Sequence, residues 1–440
     1  MQIRVSHWAL LFGIIFSISI MVACSDSSTP SEGNEQKKEA NDETQSEEEI
    51  TIKWAYPWGE EGFNEEILKY VEAEFPNIKF EYLDGGPDHP ETLENLIAAG
   101  NSPDILSMGQ VNQISVLDNL GLAFKMDELI EKENFDLERF EPSIIEYARN
   151  RDPNREGGLY AIPNGRAVYS LHYNKDVFDI LGVEYPQDGL TWDEVIDLAR
   201  DLTREVNGVQ YRGLDLDVPL DSMNVFSENT VDPETNEVLI ADSEAVRRYL
   251  QMIDEVISIP GNYPAENPGD LLHNWGEAWG KGDVAMQPAR TGWLDEENVD
   301  IATYPVWEGY EGLMPVANGG VYAISEPNEH KEASLKVIEY LMSDEIQMIK
   351  SKEGGHPSVL KNPEIHEVYG QDKPGYADKN LQSIFMYENA TGPSSIPKYT
   401  DDVLWMAAVE FANSGKDVNE FMRILQEQAE ANVRAQMEQE

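Results

Sequence analysis

The sequence predicts an α/β protein of two domains, preceded by a leader and a tether. Three observations carry that reading. From residue 50 onward, short alternating strands and amphipathic helices succeed one another, the order expected of βαβ units on a mostly parallel sheet. Roughly 390 residues follow the tether, a length that suits two domains. Ahead of them an apolar run over residues 8–22 leads to the lone cysteine, Cys24, and then to an acidic, low-complexity stretch.

The apolar run is too short for a comfortable membrane span and is broken by Ser near its end. It suits the apolar region of a secretory signal. Met21-Val22-Ala23-Cys24 resembles a lipobox, with Met21 in place of the usual Leu. That resemblance implies removal of residues 1–23 and a lipid on Cys24. Residues 24–50 hold almost no apolar side chains, so they cannot offset their ordering entropy and are expected to form a flexible tether.

Ile50-Thr-Ile-Lys-Trp54 alternates as a strand does, and Phe63, Ile67, Leu68, Val71 and Phe75 then recur at helical spacing. Ile78-Lys-Phe-Glu-Tyr82 alternates again. Leu93, Leu96 and Ile97 line a helix that stops at Gly100, and 102–107 reads as a short strand. Farther on, 159–163 and 169–173 read as strands around a Pro-Asn-Gly interruption. Thr191 and Glu194 make a capping box, opening a helix with Val195, Ile196, Leu198 and Ala199 on its inner face. Strands at 283–286 and 320–324 follow, and helices fill 333–349, the segment around Trp405, and 418–436.

Acidic residues number 83 against 32 basic ones, a net charge of −51, and −45 of it lies beyond residue 50. Nucleic acids and anionic membrane faces demand basic patches, so both are disfavoured as partners, and membrane contact is expected through the anchor alone. With Cys24 committed, no cysteine remains for a disulfide or a thiolate metal site. The chain has no Gly-x-Ser-x-Gly elbow, His-Glu-x-x-His helix, Walker loop or Gly-x-Gly-x-x-Gly turn. Asp215, Asp217 and Asp221 have a carboxylate cadence but lack the glycine and closing Glu of a calcium loop. No cofactor, metal or catalytic activity is expected.

The order of landmarks resembles the family 1 extracellular solute-binding proteins of ABC importers, the group that contains maltodextrin-binding protein. The resemblance rests on 50–59, on Leu96-Ile-Ala-Ala-Gly-Asn-Ser-Pro-Asp-Ile105, and on Gly158-Leu-Tyr-Ala-Ile-Pro163 with 171–178 and 190–194. Gly282-Asp-Val-Ala-Met286, Gly292-Trp293 and Asn318-Gly-Gly-Val-Tyr-Ala-Ile324 complete it. It implies a two-lobed periplasmic-binding-protein-like fold of type II, with residues 51–163 plus 320–360 in one lobe and 164–319 plus 361–440 in the other. It also implies a monomeric receptor that closes on a mono- or oligosaccharide and delivers it to ABC permease subunits. The chain should cross between lobes near Pro163-Asn164-Gly165 and Ala317-Asn318-Gly319-Gly320, where the residues tolerate unusual backbone angles as a hinge requires.

Sugar recognition needs flat apolar surfaces against ring faces and polar groups for hydroxyls. Trp293 follows Gly292 just past a predicted strand and matches the family's stacking tryptophan. Trp58, Gly59 and Glu60 lie where the first strand ends, a contact region in the family, and serve either ligand or packing. Gln110 follows the 102–107 strand and is placed to bond a hydroxyl; Met108, Gln110 and Asn112 stand where the maltodextrin binder has aromatic and charged contacts. Asn318 sits in the second crossing, and Asp217 and Asp402 fall in segments that reach the cleft in relatives. Trp54, Trp192, Trp275 and Trp279 read as structural. Arg166 and Arg290 are either partners of nearby carboxylates or, through bidentate bonds, of an acidic ligand such as a uronate oligosaccharide.

Rival readings stay open: a polyamine or other non-sugar solute in the same fold, a polysaccharide-acting enzyme, or a receptor that feeds a sensor kinase.

Overall fold

The computed structural model describes residues 49–216, 219–272, 279–291, 294 and 296–439. The expected leader, Cys24 and most of the tether lie outside the described residues, as do Asp217, Trp275 and Trp293.

Two five-stranded sheets organise the chain. In the first, strands follow the order Ile78–Asp84, Ile50–Tyr56, Ile105–Met108, Val321–Ile324 and Ile162–Pro163. The first three run parallel, with Trp54 opposite both Tyr82 and Ile105. Val321–Ile324 runs against them, pairing Val321 with Met108 on one side and with Pro163 on the other. The second sheet has the order Arg204–Val206, Val209–Leu214, Val284–Arg290, Tyr169–Asn174 and Val299–Thr303. Tyr169–Asn174 is antiparallel to both its neighbours.

The sheets are therefore mixed, not mostly parallel as expected. Fully buried strands carry continuous apolar runs in either direction, so their composition does not encode polarity. Polarity is set by the connections, and Tyr169–Asn174 and Val321–Ile324 each enter their sheet as the chain arrives from the other one.

Each sheet carries its own core. Ile52, Trp54, Phe63, Leu93, Ile105 and Leu335 belong to one, and Tyr169, Phe178, Trp192, Tyr249, Phe411 and Leu425 to the other. Trp54 is fully buried and donates its indole N–H to Ser107 Oγ at 2.9 Å, satisfying the one polar group it brings inside. Trp192 and Trp279 are likewise core residues, as expected. The chain passes between the cores after Pro163, around Val316–Gly320, between Ile365 and Tyr369, and again near Asn389, where Leu313–Met314 and Glu388–Asn389 form a short parallel pair.

Helix boundaries follow capping chemistry. The Thr191–Glu194 box forms: Thr191 Oγ1 accepts from the Glu194 N–H at 3.2 Å, and Glu194 accepts from the Thr191 N–H at 2.8 Å. The helix expected over 333–349 is two, Lys331–Leu341 and Asp344–Lys352. Ser343 ends the first and caps the second by accepting from the Ile346 N–H at 3.4 Å. The first helical stretch contains a π turn at Asn64–Leu68, which its apolar spacing did not announce.

Candidate functional site

A cavity of about 240 Å³ lies between the two cores. Tyr147 and Val316 reach it from the first core, and Tyr169, Met223 and Ala245 from the second. Sheet register builds its second-core wall. Tyr169 starts its strand directly opposite Arg290, the last residue of the neighbouring strand. The two therefore share one sheet end, with the Arg290 guanidinium 5.7 Å from the Tyr169 ring centre. The 3-10 segment Pro219–Phe226 brings Asp221 alongside, its Oδ2 3.7 Å from Arg290 Nε.

Tyr169 is buried and Asp221 half-buried, whereas Arg290 keeps much of its side chain exposed. Burial, then the nearby Asp221 charge, push the Tyr169 hydroxyl far above its ordinary pKa, with Arg290 opposing the shift; the hydroxyl makes no well-formed hydrogen bond to either neighbour. Burial also raises the Asp221 carboxyl, with Arg290 opposing the shift. Glu228, another lining residue, is held by the start of helix Glu244–Ile257: its Oε2 accepts from Ser243 Oγ at 2.8 Å and from the Ala245 N–H at 3.3 Å.

The first-core wall grows from helix Pro142–Arg149. Tyr147 lies on its inner face, and Arg151, just past its end, lays its guanidinium 4.8 Å from the Tyr147 ring centre. Arg151 Nη2 donates to the Pro393 carbonyl at 3.1 Å, while its buried Nε has no partner. Loop 391–393 presses on the same ring: a Cβ on Gly392 would come within 3.0 Å of it. Asn318 donates to Gln110 Oε1 at 3.1 Å and accepts from the Asn112 N–H at 3.4 Å, which fixes Asn112 and Asn318 as lining amides.

Of the residues singled out in the sequence, Arg290 and Asn318 line the cavity, and Gln110 stands one hydrogen bond behind. Trp58 lies at the neighbouring strand end, 52% exposed, edge-on to Tyr56 and close over Gly109. Gly59 and Glu60 open the helix beyond it, Gly59 with φ +88°, and neither lines the cavity. Arg166 is buried elsewhere: it donates to the Tyr387 carbonyl at 3.1 Å and lies over the Phe385 ring. Asp402 ties a turn to the C-terminal helix, accepting from Thr400 Oγ1 at 2.6 Å and from Gln436 at 3.3 Å.

Tyr147, Arg151, Tyr169, Asp221 and Glu228 were not singled out as ligand contacts. The Asp215–Asp221 cadence is split by the fold. Asp215 is buried against Arg212 at 2.7 Å and Tyr263 at 3.0 Å, whereas Asp221 faces the cavity. Among the described residues no group of three His, Cys, Asp or Glu side chains is placed to hold a metal ion. The arrangement offers hydrogen-bond donors and acceptors from both sides, aromatic faces and two guanidinium groups, which equips it to hold a polar guest.

A family model described as bacterial extracellular solute-binding protein matches residues 56–348. Among curated relatives, an sn-glycerol-3-phosphate-binding periplasmic protein of Brucella abortus is 29% identical over 151 residues, 32% of this chain and 34% of that protein. The chain thus spans about a third of the length of the first curated relatives it matches. A protein of the same description from Rhizobium meliloti is 25% identical over 344 residues, 72% of this chain and 77% of that one. A sugar transporter protein of Rhizobium etli, solved in an open conformation, superposes with a TM-score of 0.68 at 18% identity, covering 87% of this chain and 99% of that one. The sugar-binding protein MalE of Xanthomonas citri gives 0.67 at 18% identity, covering 89% and 100%. A Listeria monocytogenes ABC substrate-binding protein in complex with cycloalternan gives 0.62 at 18%, covering 89% and 99%. At these identities the likeness is one of fold: two α/β lobes of the periplasmic-binding-protein kind.

Proposed function

The chain belongs to the bacterial extracellular solute-binding protein family, and on that premise we propose that it captures a carbohydrate between its lobes and delivers it to an ABC permease. The observation that carries this reading is a cavity whose walls come from two separate cores. A guest held from both sides stabilises the closed arrangement over the open one, and the permease reads the closed shape. No covalent step is needed. The solved neighbours named for sugars support a sugar guest, and the curated relatives named for sn-glycerol 3-phosphate keep polyol phosphates within the class.

On this reading the lobes are 51–163 with 320–360 and 164–319 with 361–440, Ile365 and Ala390 reaching back into the first core. Trp293 lies three residues beyond Arg290 and serves as the stacking platform for a sugar ring. Trp58, Gly59 and Glu60 form an outer rim for a longer ligand, and Asp217 adds a hydroxyl contact. Lipid on Cys24 holds the receptor, and the acidic tether lets it reorient at the outer membrane face.

A thermal-shift screen of the Cys24→Ser chain over mono- and oligosaccharides, polyol phosphates and spermidine tests the reading. A true ligand at a hundred times its Kd adds about 2.7 kcal/mol to stability. Stabilisation by a sugar or polyol supports it; stabilisation by spermidine alone, or by no compound, overturns it.

A further inference from the structure

Arg151 lines the cavity of this acidic chain without an acidic partner of its own. Among the described residues no carboxylate oxygen lies within 4.0 Å of its guanidinium; Arg155, Arg166, Arg204 and Arg247 share that lack and bond carbonyl or amide oxygens, but of these five Arg151 is the one on the cavity wall. Its polar contacts are the Pro393 carbonyl and the Tyr147 ring face, and its Nε is buried without a partner. The acids that share the cavity are engaged elsewhere. Glu228 holds the start of a helix, and Asp221 faces Arg290 at 3.7 Å, a separation longer than a hydrogen bond. Removing a cation from water without a counter-charge is costly, and in a chain with 83 acidic residues a local carboxylate would readily have supplied one. The site is also built. The unpartnered Tyr169 hydroxyl belongs to a residue only 1% exposed, on the same cavity wall as Arg290.

We propose that the ligand supplies the missing charge: the cavity takes a polyhydroxylated molecule bearing one anionic oxygen group, carboxylate or phosphate, which Arg151 binds while Arg290 and Tyr169 donate from the opposite wall. The inference rests on the reading of this cavity as the solute site and narrows its ligand class. A guanidinium offers planar, paired N–H donors that match carboxylate and phosphate oxygens, and Arg151 brings one to the cavity wall beside the Tyr147 ring. Neutral sugars would leave that fork unpaired.

Calorimetry on the Cys24→Ser chain with two matched pairs tests it: digalacturonate against galactobiose, and sn-glycerol 3-phosphate against glycerol. The expected result is that the anionic member of one pair binds at least about tenfold tighter than its neutral partner, weakening as salt is raised. The pair that shows the preference tells carboxylate from phosphate. Arg151→Met should bring that ratio to within about threefold of one, and Arg151→Lys should leave it intermediate, since charge survives but the fork does not. Lys361→Met, exposed and remote from the cavity, should leave the ratio unchanged. Equal affinities within both pairs, a preference untouched by Arg151→Met in a folded variant, or no binding of either anionic compound overturns the inference. If neutral sugars from the wider screen bind in that last case, the reading of the cavity as a solute site stands without it.

Discussion

Gly319 packs so tightly against Gly165 that a Cβ on Gly319 would collide with the Gly165 carbonyl oxygen. The two residues sit on different passages of the chain between the cores. The next residue repeats the theme, because a Cβ on Gly320 would come within 2.5 Å of Asn164 Oδ1. None of these glycines has a left-handed φ. Their sequence reads as conformational freedom for a hinge, but what the fold takes from them is room. Gly319→Ala should therefore force the passages apart and cost about 1–3 kcal/mol. Urea denaturation checks this: the midpoint should fall, and an unchanged midpoint would contradict the packing argument.

Asn389 fastens a later passage of the chain to the first two. Its Nδ2 donates to the Ala167 carbonyl at 3.0 Å and to the Pro315 carbonyl at 2.8 Å, both buried. Asn389→Ala strands two carbonyls and should destabilise the chain by about 2–4 kcal/mol. Asn389→Asp, of the same shape but without donors, should do no better. Chemical denaturation of both variants reads the effect.

His366 is expected to set an acid limit. Its ring stacks on Phe385 at 4.3 Å, and burial, then the nearby Arg166 charge, lower its pKa to about 4. The unfolded chain takes up that proton near pH 6.5 and the folded chain does not, so this contribution is full above pH 6.5 and is lost as pH falls through 4. Partial exposure screens the effect to about 1–2 kcal/mol. His366→Gln should lose correspondingly less stability between pH 7 and 4, measured by urea midpoints across that range. Parallel curves for the two proteins would rule the residue out.

Arg155 links the two sides of the cleft, its guanidinium donating to the Pro233 carbonyl. That bond stabilises the arrangement in which the walls face each other. Arg155→Ala should weaken ligand binding about three- to tenfold, chiefly through a faster off-rate, with little change in melting temperature without ligand. Stopped-flow fluorescence with a ligand from the screen would show it, and an unaltered off-rate would count against a clamp at this point.

Local chemistry was legible in the sequence, and long-range geometry was not. The Thr191–Glu194 box, the buried Trp54 and Trp192, and the C-terminal helix followed from residue type and spacing. Strand polarity did not, because apolar composition is blind to direction. The site was only partly readable for the same reason. A tyrosine at 169 in an apolar strand reads as core; its pairing with Arg290 is what sets it on the cavity wall. Tyr147 and Arg151 are four residues apart at a helix end, an unremarkable surface pattern until loop 391–393 folds over them. Beside Asp402, the structure puts Asp401 nearer the cavity, bonded to the lining residue Thr230.

Two lobes are expected to close around one small guest. Small-angle X-ray scattering of the Cys24→Ser chain, with and without the tightest ligand from the screen, tests it most directly. The radius of gyration should shrink with ligand bound, and the scattering profile should shift in proportion to the fraction of sites filled. Identical profiles at saturation, with binding confirmed by calorimetry in the same samples, would contradict it.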